Sequence, residues 1–273
     1  MRIGHNILSD HHPIETGVPQ GSVFGPLLYL IFTADILTAE NTTIASFADD
    51  VAILSVNEDP VTATRQLQTH INNLVEWHTR WGITVNQAKS VKVTFTSRNN
   101  ICPPLTLSNA PISVTSEVKY LGLYLDQRLT WNTHIQAKRW QLDTKVRQMH
   151  WLLGRNSKLS LNNKLLLYKM VFKPIWSYGV QLWGCAKPTR LNIIQRFQSK
   201  FLRNTVDAPR YVSNDLLHTD LHIPSISDEI RRVATKYIIK THNHANDLIE
   251  HLYHNGTTDR RLLRTWPEDL VQH

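Results

Sequence analysis

The spacing of apolar residues in this 273-residue chain changes near residue 131, and this change constrains the fold more than any other feature. Up to residue 130 the apolar residues form short β-branched or alternating runs, which are typical of strands. Beyond that point they recur every three or four residues, as on the buried face of a helix. The sequence therefore predicts an α+β fold, with antiparallel strands and packing helices followed by an all-α bundle.

The clearest strand signal surrounds a pair of acidic residues. The run Thr42–Val56 reads TTIASFADDVAILSV, in which two β-branched and apolar stretches flank Asp49 and Asp50. This pattern predicts a β-hairpin with both carboxylates at its tip. Adjacent carboxylates concentrate negative charge that hard divalent cations neutralise, although such pairs also occur at ordinary turns.

Capping residues predict a long helix after the hairpin. Asp59 and Pro60 suit the N-cap and the first helical position, and Gly82 is placed to end the helix. Further strands are predicted at Ile83–Val85, Val91–Phe95 and Val118–Leu125.

Helices dominate the second half of the prediction. Ser160 and Ser225 are expected N-caps, and Asp228 completes a weak capping box with Ser225. Pro174 is expected to end or kink the helix that begins at Ser160. Two amphipathic stripes define further helices, namely Ile135, Leu142, Val146, Met149 and Leu153, then Leu191, Ile194, Phe197, Phe201 and Leu202.

Positive charge is concentrated in the helical segment. Residues 132–210 contain fifteen lysines and arginines but two acidic residues, whereas both flanking segments are slightly acidic. The tryptophans and tyrosines of residues 131–210 accompany these cations: Trp131, Trp140, Trp151, Tyr168, Trp176, Tyr178 and Trp183. This composition is typical of a surface that follows a phosphate backbone, and the open alternative is a solvated basic face above core tryptophans. The candidate nucleic-acid-binding residues are Lys138, Arg139, Lys145, Arg147 and Lys164.

Other residue classes exclude several kinds of protein. Cys102 and Cys185 are too few and too far apart for a disulfide framework or a four-ligand zinc site. The longest apolar run, Leu27–Phe32, is far shorter than the roughly 20 residues of a membrane helix. We expect an intracellular protein, nuclear or cytoplasmic, without a membrane or disulfide partner. Four histidines are expected to form a polar helix face rather than a metal site: His242, His244, His251 and His254.

A glycine-bearing loop precedes the hairpin. Gly17, Gly21 and Gly25 are spaced four apart, and an apolar stretch with one aspartate follows them. Glycine allows a loop backbone to approach a ligand closely, and Pro26 is predicted to begin a helix whose apolar face is buried. Ser22 follows Gly21 where a Walker phosphate-binding loop requires lysine, so that pattern is excluded.

Four motifs, taken in order, resemble the reverse transcriptases of non-LTR retrotransposons, the Jockey-like group of insect elements in particular. The similar segments are Gly17–Ser22 with Gly25–Tyr29, Phe47–Asp50, Gly82–Asn86 with Lys89, and Tyr120–Gly122. The resemblance covers essentially the whole chain, as the C-terminal half of the family's polymerase. It implies a partial palm at residues 1–130, a basic helical thumb at 131–212 and a C-terminal helical region at 213–273.

The resemblance also implies roles for single residues. Asp49, Asp50 and Lys89 would be catalytic, and the two aspartates would bind Mg²⁺ or Mn²⁺ once the complete active site is assembled. Template and nucleotide contacts would fall on Gln20, Gly21 and Ser22, and the primer grip on Tyr120, Leu121 and Gly122. The implied partners are an RNA template, a DNA primer and deoxynucleoside triphosphates. On the residues alone, Lys89 could equally face solvent, and Tyr120 and Leu121 could be core residues.

One departure from the family's pattern limits the expected activity. The family has a third metal-binding aspartate and fingers motifs upstream of the glycine loop, and none of Asp10, His11, His12 or Glu15 lies in a matching motif. We therefore expect the chain alone not to polymerise, since positioning and charge stabilisation would be incomplete. The alternatives are a non-catalytic nucleic-acid-binding protein and a chain that cannot fold because its sheet edge is exposed.

Overall fold

The computed structural model describes residues 2–3, 7–8, 21–36, 38–96, 102–154, 157–242, 244–245, 249 and 265–271. Helices alternate with short two-stranded sheets, so the predicted α+β class is confirmed. The chain divides into two compact units, Met1–Lys92 with Asn99–Val114, and Val93–Arg98 with Thr115–His273. The second unit includes strands that precede residue 131, because the strands after Thr115 pack against the helix that follows them.

The first unit combines two helices with short strand pairs in its described residues. Its elements are α1 (Phe24–Phe32), α2 (Pro60–Arg80), β1 (Arg2–Ile3), β2 (Ile7–Leu8), β3 (Thr43–Phe47), β4 (Asp50–Leu54), β5 (Val91–Lys92), β6 (Thr106–Leu107), β7 (Ala110–Pro111) and β8 (Ser113–Val114). Strands β1–β2, β3–β4 and β6–β7 pair antiparallel, and β5 pairs with β8 in parallel. A small core joins α2 to β6 through Ile71, Leu105 and Leu107.

Helix α2 begins and ends where its caps predict. The Asp59 carboxylate accepts hydrogen bonds from the backbone N–H groups of Val61 and Thr62, at 3.3 and 2.8 Å. Pro60 occupies the first helical position, and Gly82 has a left-handed backbone with φ of 67° just after the helix. Side-chain capping of this kind satisfies N–H groups that have no partner within the helix.

Helix α1 differs from its prediction in both start and burial. It begins at Phe24 rather than Pro26, and none of its residues is buried; Leu30 and Ile31 are each 64% exposed. Its C-terminal end is packed, because the Phe32 ring lies 4.7 Å from the Trp81 ring, centroid to centroid. The single aspartate of the apolar stretch, Asp35, accepts a hydrogen bond from the indole N–H of the buried Trp77 at 3.1 Å.

Two strand predictions in the first unit are wrong. Residues Ile83–Val85 have no strand partner and lead into a short 3₁₀ helix. The strand predicted at Val91–Phe95 shortens to β5, and its facing is reversed, with Val91 exposed and Lys92 buried. The Lys92 ammonium group donates a hydrogen bond to the Pro103 carbonyl at 2.5 Å, so a loop distant in sequence determines which side chain is covered.

The second unit is mainly helical in its described residues. Its elements are β9 (Glu117–Tyr120), β10 (Leu123–Asp126), α3 (Asn132–Gln148), α4 (His150–Leu153), α5 (Leu161–Leu167), α6 (Lys173–Ser177), α7 (Val180–Trp183), α8 (Pro188–Thr205), α9 (Asn214–Asp220) and α10 (Ile226–His242). Both cysteines, Cys102 in the first unit and Cys185 in the second, are free. No described helix in either unit is long and apolar enough to cross a membrane.

The predicted strand Val118–Leu125 is a hairpin. Strands β9 and β10 pair antiparallel, and residues 121 and 122 form the turn between them. Asp126 at the end of β10 then organises the chain before α3, because its carboxylate accepts backbone N–H bonds from Thr130 and Trp131, both at 2.9 Å. Strand β10 is therefore held by its pairing with β9 and by the hydrogen bonds of Asp126 at its C-terminal end.

The helix caps of the second unit are confirmed, but one helix end is not. The hydroxyl groups of Ser160 and Ser225 accept the predicted cap hydrogen bonds. The helical path continues past Pro174 to Ser177, after a π-helical segment at Tyr168–Phe172. A π segment widens the backbone next to proline and so accommodates its ring and missing N–H.

Most of the tryptophans predicted for a nucleic-acid surface form the core instead. Trp131, Trp176 and Trp183 are buried, and Tyr168 and the phenylalanines of α8 pack in the same cluster. Trp140 and Trp151 are 65% and 75% exposed. Periodicity in the sequence cannot distinguish a core tryptophan from a surface tryptophan, because an aromatic side chain is compatible with either environment.

One buried carboxylate links α6 to α10. The Glu229 side chain is 2% exposed and lies 2.8 Å from the Lys173 ammonium nitrogen and 2.5 Å from a guanidinium nitrogen of Arg232. Burial by itself raises the pKa of Glu229, but the hydrogen bonds from Arg232 and Lys173 outweigh that effect and hold the pKa below its usual value. The carboxylate therefore remains charged and paired at neutral pH.

His134 makes the stability of the second unit sensitive to acid. The ring is fully buried, its Nδ1 accepts the Tyr124 backbone N–H at 3.3 Å, and burial with the nearby Lys138 charge lowers its pKa to about 4. Between that pKa and the ordinary value of 6.5 the unfolded chain binds the proton and the folded chain does not.

We therefore expect His134 to remove about 3 kcal/mol of unfolding free energy as the pH falls from 7 to 4. Urea unfolding followed by circular dichroism at several pH values measures the slope. In His134→Asn, which retains an acceptor near the Nδ1 position but does not titrate, this part of the slope should vanish. An identical slope in both proteins would contradict the assignment.

Candidate functional site

The acidic pair lies where the sequence places it, at the tip of an ordered hairpin. Phe47 pairs with Asp50 across β3 and β4, so the connecting turn consists of Ala48 and Asp49. Both aspartates are exposed. The register therefore presents one carboxylate from the turn and the next from the first residue of β4.

A tyrosine of α1 holds this turn. Ala48 has a left-handed backbone with φ of 50°, which is unfavourable for a residue with a Cβ atom. The Tyr29 hydroxyl donates a hydrogen bond to the Ala48 carbonyl. Burial, together with the charge of Asp49, raises the pKa of Tyr29, so the hydroxyl keeps its proton and stays a donor. Tyr29 belongs to the sequence motif, but this role was not predicted.

The donor atoms at the turn suit a hard divalent cation. Neither Asp49 nor Asp50 forms a salt bridge within the described part of the chain. Carboxylate oxygens are the ligands that Mg²⁺ prefers, and two adjacent carboxylates repel one another in the absence of a cation. The same described residues contain no group of three or more histidine, cysteine, aspartate or glutamate side chains arranged to hold a metal.

The predicted template and nucleotide residues are only partly described. Gln20 lies outside the described residues. Gly21 has φ of 82° with open space beside it, and the Ser22 hydroxyl accepts the Phe24 backbone N–H at 3.3 Å at the start of α1. Lys89 is exposed at the end of a 3₁₀ helix, Gln87–Lys89.

The predicted primer grip forms the turn between β9 and β10. Leu121 and Gly122 both have left-handed backbones, with φ of 44° and 78°. The Tyr178 hydroxyl donates a hydrogen bond to the Leu121 carbonyl at 2.8 Å, and a Cβ atom added at Gly122 would lie 3.1 Å from the Tyr178 ring. Leu121 and Gly122 therefore close against Tyr178, whose role the sequence did not indicate. The available sequence signal for this role was the position of Tyr178, a tyrosine that directly follows an apolar helical stretch.

Two lysines lie against aromatic rings at this hairpin, and one of them is buried. The Lys138 ammonium nitrogen lies 5.3 Å from the centre of the Tyr178 ring, and that of Lys119 lies 5.7 Å from the centre of the Tyr124 ring. Lys138 is 9% exposed, and burial, followed by the charge of Lys119, lowers its pKa. Neither lysine pairs with a carboxylate within the described residues, and the exposed Lys119 is the one of the two that an anion can reach.

The other predicted basic residues differ in their surroundings. Arg139 is half-buried, pairs with Asp143 at 2.8 Å and lies over the Phe197 ring. Lys164 is buried, whereas Arg147 is exposed. Of the four histidines considered as a cluster, only His244 has a described side chain. The count of charged residues therefore identified the basic segment, but it did not show which lysines and arginines are exposed enough to contact a ligand.

The sequence motifs agree with the similarity of this chain to known proteins. Residues 2–125 match the family described as reverse transcriptase (RNA-dependent DNA polymerase). Over 94% of its length the chain is 39% identical to the RNA-directed DNA polymerase from mobile element jockey of Drosophila funebris. Over 98% it is 36% identical to the probable RNA-directed DNA polymerase from transposon X-element of Drosophila melanogaster. The chain is thus related to the polymerases of Jockey-like non-LTR retrotransposons, and the predicted resemblance is confirmed.

The relationship extends over most of this chain but over a minor part of its relatives. The chain spans 30% of the length of the jockey and X-element proteins. A further relative, the probable RNA-directed DNA polymerase from transposon BS of Drosophila melanogaster, is 34% identical over 88% of this chain and is covered to 28%. No solved structure matches the chain.

The hydroxyl of Tyr178 should stabilise the hairpin measurably. Tyr178→Phe removes one hydrogen bond to a strained turn, and we expect a loss of about 1 kcal/mol in unfolding free energy. Backbone amide exchange of residues 121–124 should accelerate, as measured by hydrogen–deuterium exchange.

Tyr211→Phe is the matched control, because the Tyr211 side chain is 88% exposed. Equal exchange of the hairpin in both variants would show that the hydroxyl does not hold the turn.

Proposed function

We propose that this chain is a segment of an RNA-directed DNA polymerase in which Asp49 and Asp50 bind the metal ions of nucleotidyl transfer. The observation that supports this most directly is the exposed, unpaired aspartate pair on a turn fixed by Tyr29. The reverse transcriptase family generally uses Mg²⁺ with a nucleic-acid template, a primer and deoxynucleoside triphosphates. RNA template and DNA primer are therefore the proposed partners of the complete site.

Each residue of the carboxylate hairpin has a defined part in this proposal. When bound, the metal ions would stabilise negative charge on the reacting phosphate. Asp49 and Asp50 supply oxygen ligands, while Tyr29 and the β3–β4 pairing hold the carboxylates in position. Preorganised placement of this kind avoids reorganising the site during the reaction. Lys89 would meet the nucleotide phosphates, and Gln20, Gly21 and Ser22 the template and the incoming nucleotide.

The second hairpin is proposed to hold the primer. Tyr120, Leu121 and Gly122 would contact its backbone, and the exposed, unpaired Lys119 would attract the phosphates, whereas Lys138 is buried beside the Tyr178 ring. We assign the first 130 residues to a partial palm, 131–212 to a thumb and 213–273 to a C-terminal region. The +13 balance of lysines and arginines over acids in 132–210 supports nucleic-acid contact by the thumb.

Catalysis is proposed to require a further carboxylate beyond the described pair. Two carboxylates supply few of the ligands that a pair of divalent ions needs. The described residues offer no third ligating side chain beside Asp49 and Asp50. We therefore propose that the 273-residue chain alone does not extend a primer, and that a complementing polypeptide would restore extension.

A second candidate function is non-catalytic binding of nucleic acid. The observation that favours it is that the basic segment lies in a compact unit with its own continuous apolar core. Such a unit can bind phosphate backbones without any metal chemistry. Metal binding and activity separate the two functions, whereas affinity for nucleic acid does not.

Mn²⁺ binding followed by electron paramagnetic resonance tests the metal assignment. The chain should bind Mn²⁺ weakly, and Asp49→Asn with Asp50→Asn should reduce the affinity at least tenfold, because each substitution removes a charged ligand. Asp220→Asn, which removes an exposed carboxylate of the second unit, is the matched control.

Primer extension on poly(rA) with oligo(dT) and Mg²⁺ tests the activity. No extension is expected from the purified chain alone. Extension by that chain that is lost on Asp49→Ala would overturn the requirement for a further carboxylate. Unchanged Mn²⁺ affinity in the double variant would overturn the metal role of the pair.

A further inference from the structure

Two tryptophans of the basic segment are left outside the core. The side chains of Trp140 and Trp151 are 65% and 75% exposed, whereas Trp131, Trp176 and Trp183 are each 8% exposed or less. Indole is the largest apolar side chain, and its exposure on a folded unit commonly marks a binding surface.

Each of the two exposed tryptophans lies opposite the buried side of its own helix. Trp140 precedes the buried Leu142 by two residues in α3, and Trp151 precedes the buried Leu153 by two in α4. Two helical residues correspond to a rotation of about 200°, so each indole projects away from the core that its leucine enters. The two helices adjoin in the chain, since α3 ends at Gln148 and α4 begins at His150 with Met149 between them.

One unpaired cation of α3 lies on the side that carries Trp140. Arg147 is exposed and follows Trp140 by seven residues, close to two full helical turns, whereas Lys145 is half-buried three residues after the buried Leu142. Arg147 forms no salt bridge within the described part of the chain, and its guanidinium donates a hydrogen bond to the Thr144 hydroxyl at 3.2 Å. We call Trp140, Arg147 and Trp151 the tryptophan row.

We propose that the tryptophan row binds single-stranded nucleic acid by stacking unpaired bases on the two indoles. Fifteen basic and two acidic residues in 132–210 favour a polyanion over an apolar protein partner. Exposed aromatic faces between cations bind single strands, whose bases are free to stack, whereas bases within a duplex already stack on each other. The inference rests on the proposed function, and it assigns the single-stranded part of a template or product to this face.

Equilibrium binding to fluorescein-labelled dT12, rU12 and a 12-base-pair duplex tests the proposal. Trp140→Ala with Trp151→Ala should weaken binding of both single strands at least tenfold and leave duplex binding within twofold, because only unpaired bases can stack. Arg147→Gln should lower the salt dependence of single-strand binding by about 0.7 in the log–log slope. Tyr211→Ala, which removes an aromatic ring that is 88% exposed elsewhere in the second unit, is the matched control.

Circular dichroism verifies that each variant is folded, and intrinsic tryptophan fluorescence should be quenched by dT12 in the wild-type chain. Unchanged single-strand affinity in the double tryptophan variant would overturn the inference while leaving the metal assignment intact. So would an equal loss for single strand and duplex, or a dimer that dissociates on the substitution with affinity unchanged. A wild-type chain that binds none of the three probes would overturn nucleic-acid binding altogether.

Discussion

Each unit contains a hairpin whose strained turn depends on a tyrosine hydroxyl. Ala48 and Leu121 each adopt a left-handed backbone, with φ of 50° and 44°, which costs about 1–2 kcal/mol for a residue with a side chain. The Ala48 carbonyl accepts a hydrogen bond from the Tyr29 hydroxyl, and the Leu121 carbonyl accepts one from the Tyr178 hydroxyl. A net hydrogen bond of about 1 kcal/mol is comparable with that strain, so the hydroxyl and the turn are interdependent. The Tyr29 hydrogen bond holds the turn that carries Asp49, and the Tyr178 hydrogen bond holds the turn that contains Gly122.

The two units differ in how much of their apolar surface they bury. The second unit has a continuous core of buried aromatic and aliphatic residues, and its buried Glu229 is paired with two cations. The first unit has a small core around α2 and β6, while most of α1 remains exposed. A two-stranded hairpin with one exposed helix gains little free energy from burial, so its geometry relies on specific hydrogen bonds. The proposed nucleic-acid binding by the second unit would therefore not require catalysis by the first.

Local patterns predicted the elements whose determinants are local. The caps at Asp59, Ser160 and Ser225 involve side chains and N–H groups two or three residues away, so they could be found in the sequence. The hairpin at the acidic pair followed from strand alternation around two polar residues. The predictions failed where a contact outside the local pattern decides the outcome. The buried Lys92 ammonium group donates a hydrogen bond to the Pro103 carbonyl, and the helix passes Pro174 after a π segment.

The sequence by itself determined the α+β order of elements, the acidic hairpin, the basic segment and, through four ordered motifs, the relationship to retrotransposon polymerases. Those properties reside in residue types and spacing, which the linear chain contains. Only the tertiary structure decided that α1 stays exposed, that Lys138 lies over Tyr178, and that Trp140 and Trp151 face outward while the other tryptophans of the basic segment are buried. Burial and side-chain pairing are relations between residues distant in sequence, and an aromatic or cationic side chain is compatible with either environment until the chain folds around it.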